Sequence, residues 1–297
     1  MKIITYHYVK KEKKEYPNLK PLSFKKFKNQ INFFIKNGGI SDDICKNNYN
    51  KNSYLLTFDD GLKDHLMVAE YLKKEKVKGT FFISCNPLIN KKILPVHQMH
   101  IILAKRKINE VYKFFFNECA KLNDENIDLF LKKNDSNQYY KPLNDSKKNK
   151  DIKKVFNYCL SKNNRLKILK KLNNYFDINI KAEDYYLNKK EIKYMKNIGM
   201  EIGSHGINHE PLLNLNFDKQ KNEILNSKLY LEKFLKKEIR YFCFPYGWKY
   251  SYNANTLKIL KKSKYDLSFA VEKRPVNKKD ILNKYELPRY DTNDMPS

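Results

Sequence analysis

Three times in this chain an apolar run rich in aromatic and β-branched residues stops abruptly on polar residues. These are "SYLLTFDDG" over 53–61, "GMEIGSHGINH" over 199–209 and "IRYFCFPYG" over 239–247. Short, nearly continuous apolar runs bounded by glycine or proline are how the buried strands of a parallel sheet read. In α/β folds the functional groups collect at the carboxyl ends of such strands. Three polar strand ends of this kind therefore constrain both the fold and the place where chemistry can occur.

The pattern around them is that of an α/β protein. "IITYHYV" near the N-terminus reads as a first strand. Ser23 can cap a helix carrying Phe24, Phe27, Ile31 and Phe34 on one face, with Gly38 stopping it. "SYLLTF", a helix from Leu62 to Lys74, and "VKGTFFIS" follow. Alternating strands and helices are the start of an α/β barrel or a doubly wound sheet. From about Pro95 to Leu187 the rhythm changes to polar helical sequence, read as a helical insertion with its own small core. Inside it the low-complexity tract "NDSNQYYKPLNDSKKNK" reads as a loop. Alternation resumes with a helix near 189–198, a long helix striped by Ile224, Ser227, Leu231 and Leu235, a helix over 253–263, and the strands "YDLSFAV" and "YELPRYD".

Composition removes several function classes. At 297 residues and 41% hydrophobic content the chain can bury a core. The net charge of +27 suggests nucleic acid at first sight, but only five of the 60 basic residues are arginine. Base readout and bidentate phosphate clamps favour arginine, so the charge is not read as a nucleic-acid footprint. A positive surface still suits anionic glycans or lipid headgroups. Five widely spaced cysteines without a CxxC pair read as thiols in a reducing compartment. "MKIITYHYVKKEKK" is too short an apolar run for an export signal, and no apolar stretch is long enough to span a bilayer. The expectation is a cytoplasmic protein without a transmembrane segment, in possible association with the inner membrane surface. The sequence is silent on oligomeric state.

His205 and His209 lie four apart just after a strand, and Asp59 and Asp60 end another. Two histidines and a carboxylate form a divalent-metal set that leaves positions open for water and substrate. Read in isolation, an HxxxH pair is more often a turn cap and a surface residue. His97 and His100, three apart, read as a solvated helix start, and His65 as structural. Two adjacent carboxylates repel unless a cation lies beside them.

Together these motifs resemble those of the polysaccharide deacetylase family, also called the NodB-homology group or carbohydrate esterase family 4. "TFDDG" matches the family's first motif residue for residue, "SHGINH" the second, and "FPYG" the core of the third. The resemblance covers roughly 1–95 and 188–297. It implies a single domain with a distorted (β/α) barrel of the TIM-like, NodB type, interrupted by the helical insertion at about 95–187. It further implies that Asp60, His205 and His209 bind a divalent metal, usually Zn2+, with Co2+, Ni2+, Fe2+ or Mn2+ as alternatives. Asp59 would be the general base acting on the attacking water. The backbone N–H of Tyr246, after Pro245, would stabilise the oxyanion.

The chain also departs from the family pattern. No histidine follows His209, so the acid that protonates the departing amine falls to His7, as in a branch with an N-terminal catalytic histidine. The bland alternative for His7 is a core histidine bonded to backbone; its strand-end position and the lack of another candidate favour the acid. Many relatives carry an arginine two residues before the motif proline, where this chain has Cys243. Arg289 in "ELPRYD" is the candidate replacement beside Asp59, although Asp291 is an equally suitable partner. The fourth motif, with its tryptophan, is absent; Trp248 is a candidate wall for a sugar ring.

The implied activity is metal-dependent removal of an N-acetyl group from an amino sugar. Without an export signal, the expected substrate is a lipid- or nucleotide-linked precursor of lipopolysaccharide or another surface glycan. The alternatives are a deformylase, a deacylase of another small amide, or a non-catalytic relative that binds a glycan or lipid carrier.

Overall fold

The computed structural model describes residues 1–11, 21–42, 52–122, 127 and 145–296. Its centre is one parallel sheet of seven strands: β1 (Lys2–Tyr6), β2 (Tyr54–Phe58), β3 (Thr80–Ile83), β4 (Glu201–Ser204), β5 (Tyr241–Cys243), β6 (Leu267–Phe269) and β7 (Tyr290–Asp291). They lie in the order β6-β5-β4-β3-β2-β1-β7, and every neighbouring pair is parallel.

Strand alternation sorts the side chains of this sheet into two layers. Ile4, Tyr6, Leu56, Phe58, Phe81, Ile202 and Phe242 pack in the larger core with the apolar stripes of the helices. Ile3, Leu55, Phe82, Tyr241, Cys243 and Phe269 face the other way and form a smaller core. The helix Phe24–Lys36 begins as its sequence dictates, with the Ser23 hydroxyl accepting from Lys26 N. Residues 62–64 precede the next helix instead of starting it: the helix runs His65–Lys74, and Leu62 bridges to Tyr186.

One short segment joins the two edges of the sheet. Leu287 bridges to Phe269 of β6, with Ala270 N donating to Leu287 O and Leu287 N to Ser268 O, both at 2.9 Å. Three residues on, Tyr290 and Asp291 pair with Ile4 and Thr5 of β1. The sheet is thus curled into a distorted (β/α) barrel, and residues 287–291 close it.

The first compact unit contains this barrel and holds the described residues up to Lys92 and from Ala182 onward; a second holds those from Ile93 to Lys181. The second is helical, with the main helices Pro95–Lys105, Ile108–Ala120, Lys147–Lys154 and Lys162–Phe176. Met99, Ile102, Val111, Phe115, Ile152, Phe156, Ile168 and Leu172 form its core. Within the tract expected to be a loop, residues 134–144 lie outside the described region. Its end is helical: Ser146 caps Lys147–Lys154 by accepting from Asn149 N. His97 also differs from expectation, because it is buried.

The closing segment gives a test of the barrel. Leu287 is buried in the inner core, so Leu287→Ala should cost about 2–5 kcal/mol, measured by urea denaturation. Because Arg289 rides on the same segment, catalytic loss should accompany this destabilisation.

Candidate active site

Alternation along β2 gives the site its base. Thr57 and Asp59 point to the side of Leu55, the inner layer, where Thr5 of β1 and Cys243 of β5 also lie. Asp60 would face outward if the strand continued. Instead its backbone is left-handed, with φ 78°, which breaks the alternation and lets two consecutive carboxylates serve one site. His209 (φ 56°) and Tyr246 (φ 65°) have the same conformation. Such backbone is strained for residues other than glycine and clusters at functional sites.

Arg289 enters from the closing segment and is 1% exposed. Its Nη1 and Nη2 donate to Oδ1 and Oδ2 of Asp59, both at 2.8 Å. Nη1 also donates to Thr57 Oγ1 (3.1 Å), Nη2 to Cys243 Sγ (3.1 Å) and Nε to Ala270 O (3.0 Å). All five guanidinium N–H groups are accounted for. Asp59 accepts further hydrogen bonds from Thr5 Oγ1 (3.3 Å) and the Cys243 thiol (3.5 Å). Burial alone would raise the Asp59 carboxyl, but the Arg289 guanidinium overrides it and holds the group well below the usual carboxylate range. Burial pushes the Cys243 thiol up, which suits a neutral neighbour better than a nucleophile. Asp291, the other candidate partner for Arg289, accepts instead from Asn293 N at 2.8 Å.

Asp60, His205 and His209 come together. Their ligand atoms lie within 4.8 Å of one another, with Asp60 Oδ1 at 3.4 Å from His205 Nε2 and 3.2 Å from His209 Nε2. His205 Nδ1 lies 2.8 Å from Cys243 O. A carbonyl can only accept, so Nδ1 carries a proton, and Nε2 faces Asp60. A fixed outer hydrogen bond of this kind is how metal-ligating histidines are oriented. Two imidazole nitrogens and a carboxylate oxygen converging without a mobile side chain suit a divalent transition-series cation.

His7 follows β1 and is the exposed member of the group, with 42% of its side chain accessible and Nε2 3.8 Å from Asp59 Oδ2. Behind it His65 is buried and donates from Nε2 to His7 O at 2.9 Å. Burial pushes its pKa down to about 4, so it remains neutral. Tyr246 packs its ring 4.8 Å from that of His209, and Pro245 is buried. Half-buried Trp248 lies nearly parallel to Tyr250, with ring centroids 6.3 Å apart.

Two contributors escaped the sequence reading. Thr57 shares the parity of Asp59, and strand alternation would have found it. Glu223, on the helix Phe217–Leu235, is buried and accepts from the loop that joins His205 to His209. Its signal was a charge immediately beside the apolar stripe of that helix. Arg240, by contrast, pairs with Asp266 away from these groups.

The curled parallel sheet thus carries at its strand ends a set of side chains suited to holding a metal ion. The family model described as polysaccharide deacetylase matches residues 146–268. The match contains the second and third motifs and is less than half of the chain. Solved structures align over nearly the whole of it. The Streptococcus pyogenes deacetylase PplD in complex with acetate has a TM-score of 0.60 at 17% identity, covering 98% of this chain and 91% of its own. IcaB from Ammonifex degensii gives 0.55 at 15%, covering 99% and 92%. A de-N-acetylase from Aggregatibacter actinomycetemcomitans gives 0.57 at 14%, covering 97% and 93%. At such identities the likeness is one of fold. No curated protein matches the chain.

The Asp59–Arg289 pair makes a prediction about stability. Arg289→Gln leaves a buried carboxylate without its cation and should cost about 3–5 kcal/mol at neutral pH. The depressed Asp59 pKa contributes stability that is fully present above the ordinary carboxylate range and is lost as pH falls from that range toward the lowered pKa of the folded state. The difference between wild type and Arg289→Gln, measured by chemical denaturation, should therefore shrink as pH is lowered below about 4, the range of an ordinary carboxylate.

Proposed function

We propose that this protein is a metal-dependent carbohydrate N-deacetylase, removing an N-acetyl group from an amino sugar of a glycan or glycan precursor. The observation that carries the reading is the Asp60, His205 and His209 set beside a carboxylate that its arginine keeps ionised. The family match and the deacetylase neighbours point the same way.

Asp60, His205 and His209 would hold the cation. When bound, such a cation supplies Lewis acidity, lowering the pKa of water and polarising an acyl carbonyl. Asp59 accepts the proton of the attacking water. Its bidentate bond to Arg289 fixes the carboxylate in one orientation and keeps it ionised. His7, at the exposed edge beside Asp59, delivers a proton to the departing amine nitrogen, without which an amide does not cleave readily. The backbone N–H of Tyr246, held by Pro245 and its own left-handed conformation, is assigned to the developing oxyanion. Trp248 provides an apolar face for a sugar ring.

Among the described residues no helix is long and apolar enough to cross a membrane. We assign the substrate to N-acetylated sugars on lipid or nucleotide carriers, whose phosphates suit a chain of net charge +27.

Acetate release from N-acetylglucosamine oligosaccharides, with metal analysis of the same samples, tests the assignment. Asp59→Asn should lower kcat by about 10²–10⁴ while metal content is retained, whereas His205→Ala should lose the metal. Wild-type turnover in Asp59→Asn would remove the base from its role. His7→Gln should lose a similar factor on amides. It should lose far less on aryl acetates, whose leaving group needs no proton; equal losses on both would exclude His7 as the acid.

A further inference from the structure

The helix Phe217–Leu235 turns Glu223 into the interior, where it is 6% exposed. A buried carboxylate costs several kcal/mol unless its oxygens are satisfied. Here the donors come from one place, the four-residue step between the two histidines of the metal set. Oε2 accepts from Ile207 N at 2.9 Å and Asn208 N at 2.8 Å, and Oε1 accepts from Asn208 Nδ2 at 2.5 Å. The carbonyls of the same loop are taken up on the other side, Gly206 O by Cys85 N (3.0 Å) and Ile207 O by Asn86 N (2.8 Å). The loop is clamped between a carboxylate that takes its N–H groups and a backbone that takes its carbonyls.

Two features show that the clamp is specific. Gly206 has φ +77°, and a Cβ there would lie 3.2 Å from Glu223 Oε2, so glycine is what allows the carboxylate to approach. The loop also ends on His209, whose left-handed backbone has no glycine to ease it. A conformation of that kind persists only where surrounding contacts over-determine it. A carboxylate suits this role because it offers acceptors only, facing donors only.

We infer that Glu223 is a positioning residue of the metal site, fixing the spacing of His205 and His209 through the loop between them. The inference rests on the proposal that Asp60, His205 and His209 bind a cation. Glu223 acts through Ile207 and Asn208 by removing the loop's freedom, so the cation meets a preformed pair of imidazoles. Partners placed in this way behind metal ligands are typically worth about 10–100-fold in affinity.

The test is titration of the full-length apoprotein with Co2+, recording the dissociation constant and the visible absorption of the bound ion, which reports ligand geometry. Thermal melting in chelator is measured in parallel. Glu223→Ala should weaken Co2+ binding by about 10–100-fold and alter the absorption band. Glu223→Gln keeps the shape and one acceptor, so it should fall between wild type and alanine. It also keeps the test decisive should the alanine variant not fold. Wild-type Co2+ affinity and spectrum in Glu223→Gln, or in a folded Glu223→Ala, would overturn the inference while leaving the metal site intact. An unmutated chain that takes up no Co2+ would overturn the metal reading itself, and the inference with it.

Discussion

The buried pair of Arg289 and Asp59 is the contact on which both the barrel and the site depend. Desolvating two charges costs several kcal/mol per ion, and only excellent geometry with every remaining donor satisfied offsets it. That condition is met, because the guanidinium spends its five N–H groups on β2, β5 and the residue after β6. Arg289 also lies between the two bridges by which residues 287–291 close the sheet. Closure of the barrel and ionisation of Asp59 are therefore one event. Cys243 makes room for it: a small, neutral side chain on β5 leaves the volume that an arginine from another strand occupies.

A second constraint is backbone strain. Among the described residues, six of the nine non-glycine residues with positive φ stand at helix C-termini or just beyond them, where a left-handed residue is an ordinary way to stop. The other three are Asp60, His209 and Tyr246, each in a different strand-end loop of the site. Strain of order 1–3 kcal/mol per residue is tolerable only where neighbours hold the chain. The neighbours here are the Glu223 clamp, the Leu187 N to Gly61 O bond and the Val271 N to Gly247 O bond. The rigid scaffold is what lets adjacent residues in the sequence face the same few cubic ångströms.

Much of this was legible beforehand, for identifiable reasons. The strand-end motifs are local signals, and their order along the chain placed Asp59, Asp60, His205 and His209 at strand carboxyl ends. The capped helix Phe24–Lys36 and the apolar stripe over Ile224, Ser227, Leu231 and Leu235 followed from periodicity alone. What stayed ambiguous was long-range. Whether Arg289 would meet Asp59 or Asp291 depends on which way one side chain turns just before a strand of two residues. His97 misled because its helix start looks polar in sequence, while the burial comes from helices distant along the chain. Glu223 was less legible because its signal, a charge beside an apolar stripe, does not name its partners, which are two backbone N–H groups and the Asn208 amide.

The charge of the chain acts on a different length scale from the charge of the site. A net +27 repels a dication at long range, yet at physiological ionic strength that field is screened within about 8 Å. Of the two carboxylates at the barrel mouth, Asp59 is already neutralised by Arg289. Asp60 is then the carboxylate left to compensate a cation, and two neutral imidazoles complete a set that carries one negative charge for a double positive one. A divalent cation held there would keep a net positive charge, which is the Lewis acidity such an ion supplies. Arg289 thus does more than orient a carboxylate: by neutralising Asp59 it leaves Asp60 to carry the negative charge beside His205 and His209.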